Sequence, residues 1–471
     1  MIRFGTGGWR AEIGKDFNME NIGLIAQGLS DYINERGDAG KPVVIGYDRR
    51  FLSDVSARWL AETLCANGIS VLFMHRSAPT PLVMHTVKKQ ELNYGLEVTA
   101  SHNPSTYNGV KVIVREGRDA PLEVTGAIEE HIAALKPENV KRLDFGDCAE
   151  SGKIIFLKNP YNDFLDDILA VIDTGIIRER GPRILFDPMH GSAAYPLMAV
   201  FYTARCTLDQ IHGDKDAYFG GLMPAPTEST LGELRTRVVS GGYDLGIGVD
   251  GDGDRLGIID SNGRYINANE ILVLLYYYLH EYKGWRGAVV RNVATTHLLD
   301  KVARSFGEQC YEVPVGFKYI SAEIDAVDAV LGGESSGGLT VRGHIHGKDS
   351  VYAASLFTEM ICRTGKTATE LLGEIKDKFG SFEMVEENLL FRPDDKPRLM
   401  KIIMEERLLP EFEPAVGAVS YQDGCKVYFA DGSFVICRFS GTEPLIRIFA
   451  EAEARERALE YIAAWRGFLG I

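Results

Sequence analysis

The sequence contains few cysteines, and they are scattered. Seven lie among 471 residues, with no Cys-x-x-Cys pair and no cluster with histidine. This pattern excludes a disulfide framework and a cysteine–histidine metal site as organising features. It is typical of reduced thiols in a cytosolic protein.

Long hydrophobic runs are also lacking. The longest, residues 271–279, is far too short to cross a bilayer. The first ten residues lack the apolar run of a signal peptide. We therefore expect a soluble, cytoplasmic protein.

Positive charge is in deficit. The 51 Lys and Arg residues are outnumbered by 66 Asp and Glu residues, for a net charge of -15. This balance argues against nucleic acid or an anionic membrane as partner, because both require a basic surface. An anionic small-molecule substrate would need a local basic patch. The chain is too long for one hydrophobic core, so we expect three or four domains.

A repeated pattern organises most of the chain. An apolar strand, a helix, a second strand, a short helix and a third strand recur three times, and each third strand ends in a polar, glycine-containing loop. The alternation predicts α/β units with mainly parallel sheets covered by helices. Ligands bind beyond the carboxyl ends of such strands, although three ordinary strand exits would look the same. The repeats begin at strands 42–48, 183–187 and 287–291 and end at loops near Ser101, Asp250 and Glu334.

The tail after about residue 381 has a different pattern. Its strands and helices predict a small α+β domain with an antiparallel sheet and helices on one side. The strands are expected at 386–391, 424–429, 433–439 and 445–451, and the helices at 397–406 and 455–465.

The first functional loop presents a serine. Ser101 lies in Thr-Ala-Ser-His-Asn-Pro (99–104), where Asn-Pro forces a turn. A turn-exposed serine is a candidate nucleophile, although most serines at strand ends only form turns. His102 and Lys111, which follows a glycine turn, could balance the charge of a phosphoserine.

The second loop is acidic. Asp250, Asp252 and Asp254 alternate with glycines and are followed by Arg255. Oxygen ligands alone suit a hard cation such as Mg²⁺. An EF-hand is excluded because Arg255 and Ser261 stand where that motif needs Gly and Glu. Two alternatives remain: a solvated acidic turn, and a haloacid-dehalogenase-type site with Asp250 as nucleophile.

The third loop offers an acceptor and a hydroxyl two residues apart. Glu334 and Ser336, within Gly-Gly-Glu-Ser-Ser-Gly-Gly, suit hydrogen bonding to neighbouring sugar hydroxyls. Lys348 follows shortly after and could act as a general base if its pKa were lowered. The alternative for Lys348 is an ordinary surface lysine.

The tail carries a candidate phosphate cradle. Two arginines, two hydroxyls and a glycine turn whose N–H groups can face an anion occur between two strands. An ordinary hairpin with exposed arginines is the alternative. The residues are Arg438, Ser440, Gly441, Thr442 and Arg447.

Together these loops resemble the four signature loops of the α-D-phosphohexomutases, in the same order. The matching segments are 99–104, 250–255, 333–337 and 438–447, and residues 4–10 resemble the family's N-terminal motif. The resemblance covers essentially the whole chain. It implies a four-domain architecture, with three similar mixed α/β domains and a C-terminal α+β domain. Expected boundaries are 1–145 (phosphoserine loop), 146–255 (metal loop), 256–375 (sugar loop) and 376–471 (phosphate loop).

The resemblance also implies the chemistry. It implies a phosphoserine enzyme that interconverts hexose 1- and 6-phosphates, with Mg²⁺ and with glucose 1,6-bisphosphate as intermediate and activator. Its partner is a small phosphosugar. The matched positions are Ser101, Asp250, Asp252 and Asp254 for the metal; Arg10, His102, Lys111 and Arg255 around the transferring group; Lys348 as base; Glu334, Ser336 and Gly316 at the sugar; and Arg438, Ser440, Gly441, Thr442 and Arg447 at the other phosphate.

These motifs say less about which sugar the enzyme prefers. The Glu-x-Ser loop is more similar to the bacterial glucomutase-like branch than to glucosamine mutases, and Gly316 follows valine where many members have threonine. We therefore expect glucose, with mannose second. Phosphoglucosamine mutase, phosphopentomutase, a phosphatase using Asp250 and a non-catalytic sugar-phosphate sensor remain as alternatives.

Overall fold

The computed structural model describes residues 2–5, 7–440 and 444–471. It divides the chain into two compact units. The first comprises 1–271 and 336–369, and the second comprises 272–335 and 370–471.

The first unit begins with a seven-stranded mixed sheet of order β1-β5-β4-β2-β3-β7, in which β6 pairs with β5. Strands β4, β2, β3 and β7 are parallel, whereas β5 runs antiparallel to both β4 and β1. The strands are β1 (Trp9–Glu12), β2 (Val43–Tyr47), β3 (Val71–Met74), β4 (Tyr94–Val98), β5 (Tyr107–Val114), β6 (Arg118–Asp119) and β7 (Ile154–Leu157). The helices are α1 (Met19–Glu35), α2 (Ser53–Ala66), α3 (Thr80–Lys89), α4 (Leu122–Ala133), α5 (Phe145–Glu150) and α6 (Pro160–Val171).

A second mixed sheet in this unit has order β12-β11-β10-β8-β9. Strands β10, β8 and β9 are parallel, and β11 returns antiparallel to β10. The strands are β8 (Arg183–Asp187), β9 (Thr207–Gln210), β10 (Leu245–Val249), β11 (Leu256–Asp260) and β12 (Tyr265–Ile266). The helices along this part of the chain are α7 (Thr174–Arg180), α8 (Ala194–Thr203), α9 (Gly232–Gly241) and α10 (Ala268–Glu281).

These two sheets place the predicted loops inside hairpins. The expectation of mainly parallel sheets was incomplete, because in the first two repeats the third strand is followed at once by an antiparallel strand. The loop between β4 and β5 carries Ser101, and the loop between β10 and β11 carries Asp250. Each loop therefore has a strand on both sides.

The third sheet, in the second unit, contains three parallel strands in the order β14-β13-β15. The strands are β13 (Val289–Asn292), β14 (Cys310–Val313) and β15 (Leu331–Gly333). The helices are α11 (Leu298–Ser305) and α12 (Phe317–Val327). The chain then continues through β16 (Leu339–Val341), α13 (Ser350–Thr364) and α14 (Ala368–Phe379).

The tail forms an antiparallel sheet of order β17-β21-β20-β19-β18. All four predicted strands are present, but β18 was not predicted. The predicted helix 397–406 is divided, because a wider helical turn over Lys401–Glu405 follows α15. The elements are β17 (Glu383–Leu390), α15 (Lys396–Met400), β18 (Val416–Ser420), β19 (Cys425–Phe429), β20 (Phe434–Phe439), β21 (Leu445–Ala452) and α16 (Arg455–Leu469).

The tail sheet has a core of its own. Leu399 and Ile403 from the α15 region, and Tyr461 and Trp465 from α16, are buried together with apolar side chains of the strands. This packing onto the sheet explains why a short α+β segment can fold there. Among the helices of the described residues, none combines the length and apolar character needed to cross a membrane.

Candidate active site

Ser101 is held in an unusual backbone conformation at the end of β4. Its φ is +52°, a left-handed value that non-glycine residues seldom adopt. Its N–H donates to Thr99 Oγ1 at 2.8 Å. Its Oγ donates to Asp250 Oδ2 at 3.1 Å and lies 3.4 Å from Nδ1 of His102. The hydroxyl is buried and faces the acidic loop.

The acidic loop brings three buried carboxylates together. One oxygen from each of Asp250, Asp252 and Asp254 lies within 4.8 Å of the others. Asp250 Oδ1 also accepts the backbone N–H groups of Asp254 and Arg255 at 2.8 and 2.9 Å, which curls the loop around it. Burial and the two neighbouring carboxylates raise the pKa of Asp250. Such a cluster favours a bound cation.

Two lysines balance part of this charge. Lys111 Nζ, on β5, donates to Asp252 at 2.7 Å and to Asp254 at 2.9 Å. Lys348 Nζ lies 2.9 Å from Asp254. Burial opposes the charge of Lys111, but Asp252 and Asp254 outweigh it and raise the lysine's pKa. Thr80 Oγ1 donates to Asp252 at 2.7 Å.

The carboxylates retain room for a metal ion. Asp252 Oδ1 and Asp254 Oδ1 are buried and have no hydrogen-bond partner among the described residues. A buried carboxylate oxygen without a donor is costly unless a cation contacts it. An all-oxygen donor set suits Mg²⁺. The residues therefore fit a hard divalent cation.

Positively charged and neutral donors surround the serine loop. Arg255 Nε lies 3.9 Å from Asp250 and 3.8 Å from Asp254. Arg10 Nη1 donates to Asn103 Oδ1 at 2.6 Å. Burial, followed by Arg255 and Arg10, lowers the pKa of His102, so this imidazole is neutral. Every residue expected around the transferring group thus lies at or beside Ser101 and the acidic loop.

Ser336 belongs to the same unit. It is exposed. The loop behind it is fixed because Leu256 N–H, at the start of β11, donates to the carbonyl oxygen of Gly337 at 3.0 Å.

In the second unit, Glu334 is paired with two donors. Its Oε1 accepts Asn292 Nδ2 at 3.1 Å and the backbone N–H of Gly316 at 3.0 Å. Gly316 has a φ of +129°, which a side chain would disfavour. Glu334 and Gly316, both expected near the sugar, are therefore in direct contact.

The expected phosphate cradle lies on the tail sheet of that unit. Arg438, on β20, is opposite Arg447, on β21. Ser440 N–H donates to Leu445 O at 2.9 Å, while Gly441 and Thr442 lie outside the described residues. The two arginines thus lie side by side on neighbouring strands.

Asp423 connects the cradle to the sugar loop. Arg438 Nη2 donates to Asp423 Oδ1 at 3.0 Å, and Val315 N–H donates to Asp423 Oδ2 at 2.7 Å. Val315 precedes Gly316, which contacts Glu334. Arg438 of the expected cradle and the segment that leads to Gly316 therefore share one carboxylate.

The neighbours that were not predicted from the sequence include Arg50 and Thr80 in the first unit and Asp423 in the second. Arg50 could have been found, because it follows the apolar strand β2 at the same sheet edge as Ser101. Thr80 begins α3 and Asp423 lies in a turn, and no local pattern distinguishes them from ordinary caps and turns.

Four family models match the chain in order. They describe phosphoglucomutase/phosphomannomutase α/β/α domains I, II and III, at residues 1–139, 162–263 and 267–379, and the C-terminal domain, at 399–466. The predicted fold is thereby confirmed: three mixed α/β domains and a C-terminal antiparallel sheet domain.

Relatives extend over nearly the full length. A phosphoglucomutase/phosphomannomutase of Thermococcus kodakarensis is 28% identical over 98% of this chain and 96% of its own. A provisionally assigned phosphoglucosamine mutase of Methanopyrus kandleri is 30% identical over 97% and 95%. The crystal structure of a provisionally assigned phosphomannomutase from Thermus thermophilus matches with a TM-score of 0.86 at 26% identity, covering 100% and 99%. The chain therefore belongs to the phosphoglucomutase/phosphomannomutase family and is a phosphohexomutase, an intramolecular phosphotransferase.

Proposed function

We propose that this phosphohexomutase interconverts glucose 1-phosphate and glucose 6-phosphate through a phosphorylated Ser101, with mannose phosphates as second substrates. The observation that carries the proposal is the buried Ser101 hydroxyl, 3.1 Å from Asp250 and beside the three-carboxylate cluster. A buried hydroxyl next to a cation-binding site suits a phosphoryl carrier, because the charge of the phosphoryl group needs neutralisation.

The transfer proceeds in two balanced steps. The free sugar hydroxyl attacks phosphorus on Ser101, the bond from phosphorus to Oγ breaks, and the hydroxyl proton leaves to a base while Oγ regains a proton. The product is glucose 1,6-bisphosphate. After it turns around, Ser101 Oγ attacks the phosphorus of the other phosphate and gives up its proton. The bond from that phosphorus to the sugar oxygen breaks, and this oxygen takes up a proton as the isomer is released. A trace of bisphosphate is then needed to restore any enzyme that has lost its phosphate.

Mg²⁺ would be held by Asp250, Asp252 and Asp254 together with the serine phosphate, and it would supply positive charge to the transferring oxygens. The chain's own residues do the rest. Lys111 keeps Asp252 and Asp254 in place, and Arg10 and Arg255 add positive charge. Lys348, whose Nζ lies 2.9 Å from Asp254, is the proposed base.

The residues expected at the sugar and at the second phosphate are proposed to bind the remainder of the substrate. Glu334 and Ser336 would accept and donate hydrogen bonds at the sugar hydroxyls. Arg438 and Arg447, with Ser440, Gly441 and Thr442, would hold the non-reacting phosphate. A cation pair on adjacent strands suits a phosphate in either orientation of the sugar.

Phosphoglucosamine mutase is the second candidate. It is favoured by the assignment of the 30% identical relative from Methanopyrus kandleri. Glucose is preferred because the Glu-Ser-Ser-Gly-Gly loop is more similar to the glucomutase-like form. An amine in place of a hydroxyl changes the donors that the sugar loop must satisfy, so the two substrates are separable by kcat/KM.

The decisive experiment compares 1-phosphates of glucose, mannose, glucosamine and ribose side by side, with Mg²⁺ and a trace of the matching bisphosphate. We expect the highest kcat/KM for glucose and loss of turnover in Ser101→Ala. A lead for glucosamine would transfer the assignment to the second candidate. An active Ser101→Ala and an inactive Asp250→Asn would indicate a phosphatase-type site, and binding without turnover would indicate a sensor.

A further inference from the structure

The loop that carries Ser101 converges on one buried guanidinium. Arg50, just after β2, has a fully buried side chain. Its Nη2 donates to the carbonyl oxygens of Ser101 at 2.5 Å and Asn103 at 2.6 Å, and its Nη1 donates to those of Pro104 at 2.8 Å and Tyr107 at 3.0 Å. Three backbone carbonyls of this loop and that of the first residue of β5 therefore share a single side chain.

A second connection reaches the same serine from the other side. Asp48 Oδ2 lies 3.3 Å from Arg50 Nε and accepts Thr99 Oγ1 at 2.7 Å. Thr99 Oγ1 in turn accepts the N–H of Ser101 at 2.8 Å. Both backbone polar groups of Ser101 are thus tied, directly or through Thr99, to the Asp48–Arg50 pair.

The pair is rigidly enclosed. Asp48 Oδ1 also accepts the backbone N–H of Arg50 at 2.9 Å and Ser53 Oγ at 2.7 Å. The guanidinium carbon of Arg50 lies 4.8 Å from the centre of the Phe219 ring. The planar guanidinium of Arg50 is therefore better suited to holding carbonyls at set positions than the flexible ammonium of a lysine would be.

The backbone of Ser101 requires such support. A left-handed φ at a non-glycine residue is strained and persists only where the surroundings enforce it. That conformation directs Oγ toward Asp250, at 3.1 Å. Relaxation of the loop would turn the hydroxyl away from the acidic cluster.

We propose that Arg50, with Asp48 and Thr99, is a positioning residue for phosphoryl transfer: it holds the Ser101 loop in the strained conformation that aims Oγ at the metal loop. The inference rests on the proposed role of Ser101 as phosphoryl carrier. Arg50 does not contact the reacting oxygen and acts only through the backbone.

The adjacent Arg49 is a matched control. Its Nη1 donates to the carbonyl oxygen of Gly213 at 2.9 Å, in the loop after β9. Arg49→Lys and Arg50→Lys therefore make the same chemical change at consecutive positions. The side chain of Arg50 contacts the serine loop, whereas that of Arg49 contacts a different loop.

The experiment measures kcat, KM and the thermal midpoint. It also measures, by intact-protein mass spectrometry, the rate at which glucose 1,6-bisphosphate phosphorylates Ser101.

For Arg50→Lys we expect a fall of about 100-fold in both kcat and the phosphorylation rate, as for a displacement of the serine hydroxyl by about 1 Å, with KM nearly unchanged. Arg49→Lys should keep both rates within about threefold of wild type, since its bonds lie on another loop. Unchanged rates in Arg50→Lys would overturn the proposal, as would a loss of kcat with normal phosphorylation.

A smaller change keeps the test valid if Arg50→Lys does not fold. Thr99→Val removes the hydroxyl that accepts the Ser101 N–H, whereas Thr99→Ser keeps it. We expect slow phosphorylation in the valine variant and near-normal phosphorylation in the serine variant; equal rates would overturn the proposal. A fully active Ser101→Ala would instead refute the proposed function itself, so the two failures are distinguishable.

Discussion

Glu312, on β14, accepts a 2.6 Å hydrogen bond from Lys426 Nζ, on β19, and this ion pair, of a buried lysine and a partly exposed carboxylate, joins the third sheet to the tail sheet. Arg291 Nη1 donates to the same Glu312 oxygen at 2.5 Å, and Tyr428 OH donates to the other. One carboxylate therefore has two cationic partners from two sheets of the second unit.

Glu312→Gln should destabilise the protein by about 3–5 kcal/mol, because it leaves two buried cations without their shared counter-charge. The free energy of unfolding in urea measures the effect. Glu413→Gln, at a side chain that is 90% exposed, is the matched control and should be close to wild type. Equal urea midpoints for the two variants would contradict the prediction.

The same pair predicts a pH dependence. Burial, followed by Arg291, lowers the pKa of Lys426 to about 7, so the ammonium form predominates at pH 6 and below. At Glu312 burial opposes the charge, but His297, Lys426 and Arg291 outweigh it and lower the pKa below its ordinary 4.5. Because the folded-state pKa is the lower one, the stability contributed by Glu312 is present above pH 4.5 and declines as the pH falls below it. The difference in unfolding free energy between wild type and Glu312→Gln should therefore hold from pH 6 to about pH 5 and shrink below about pH 4; a constant difference would contradict this.

Asp423→Asn should weaken substrate binding more than turnover. The amide can no longer neutralise Arg438 while also accepting the Val315 N–H, so both the phosphate cradle and the sugar loop lose support. We expect KM for the hexose phosphate to rise about tenfold, as for loss of a hydrogen bond to a charged group, with a smaller change in kcat. Asp431→Asn, at a carboxylate that closes its own turn by accepting the N–H and Oγ of Ser433, is the control. The same KM in both variants would refute the coupling.

Removal of divalent metal should abolish turnover and lower the thermal midpoint. Dialysis against a chelator, followed by titration with Mg²⁺ while the thermal midpoint is recorded, tests metal binding without requiring activity. A ligand at 100 times its Kd stabilises the folded protein by about 2.7 kcal/mol. Asp254→Asn should lose most of the Mg²⁺-dependent rise, whereas Asp209→Asn, at an exposed position on β9, should keep it. A midpoint that does not respond to Mg²⁺ in wild type would contradict the metal assignment.

Gly253→Ala should disrupt the acidic loop. Gly253 has a φ of +72°, and a Cβ there would lie 2.8 Å from Ala193 Cβ and 3.0 Å from Pro79 Cβ. We expect a loss of about 1–3 kcal/mol and weaker Mg²⁺ binding, because Asp252 and Asp254 flank the glycine. Gly232→Ala, where an added Cβ would meet nothing within 4 Å, should be neutral or slightly stabilising in the same measurements.

Buried strands were the most predictable elements. The strand expected at 183–187 is β8 (Arg183–Asp187). It was predictable because a continuous apolar run between polar turns is typical of a buried strand. The strand β18 (Val416–Ser420) was missed, since its residues are exposed or half-exposed and lack an apolar alternation. The pairing direction of β5 and β11 was not predicted either, because it depends on the neighbouring strand rather than on the residues of the strand itself.

The sequence alone determined the chemical groups and their local setting. Each of the two loops is defined by residues that are close together along the chain. In one, Ser101 precedes a forced turn; in the other, three aspartates alternate with glycines. Tertiary structure decided which groups meet. Lys111 reaches Asp252 across 141 positions and Thr80 reaches it across 172, while Arg50 holds the serine loop from the end of another strand. Local patterns report burial and turns; contacts between distant residues arise only when the sheets pack and bring their strand ends together.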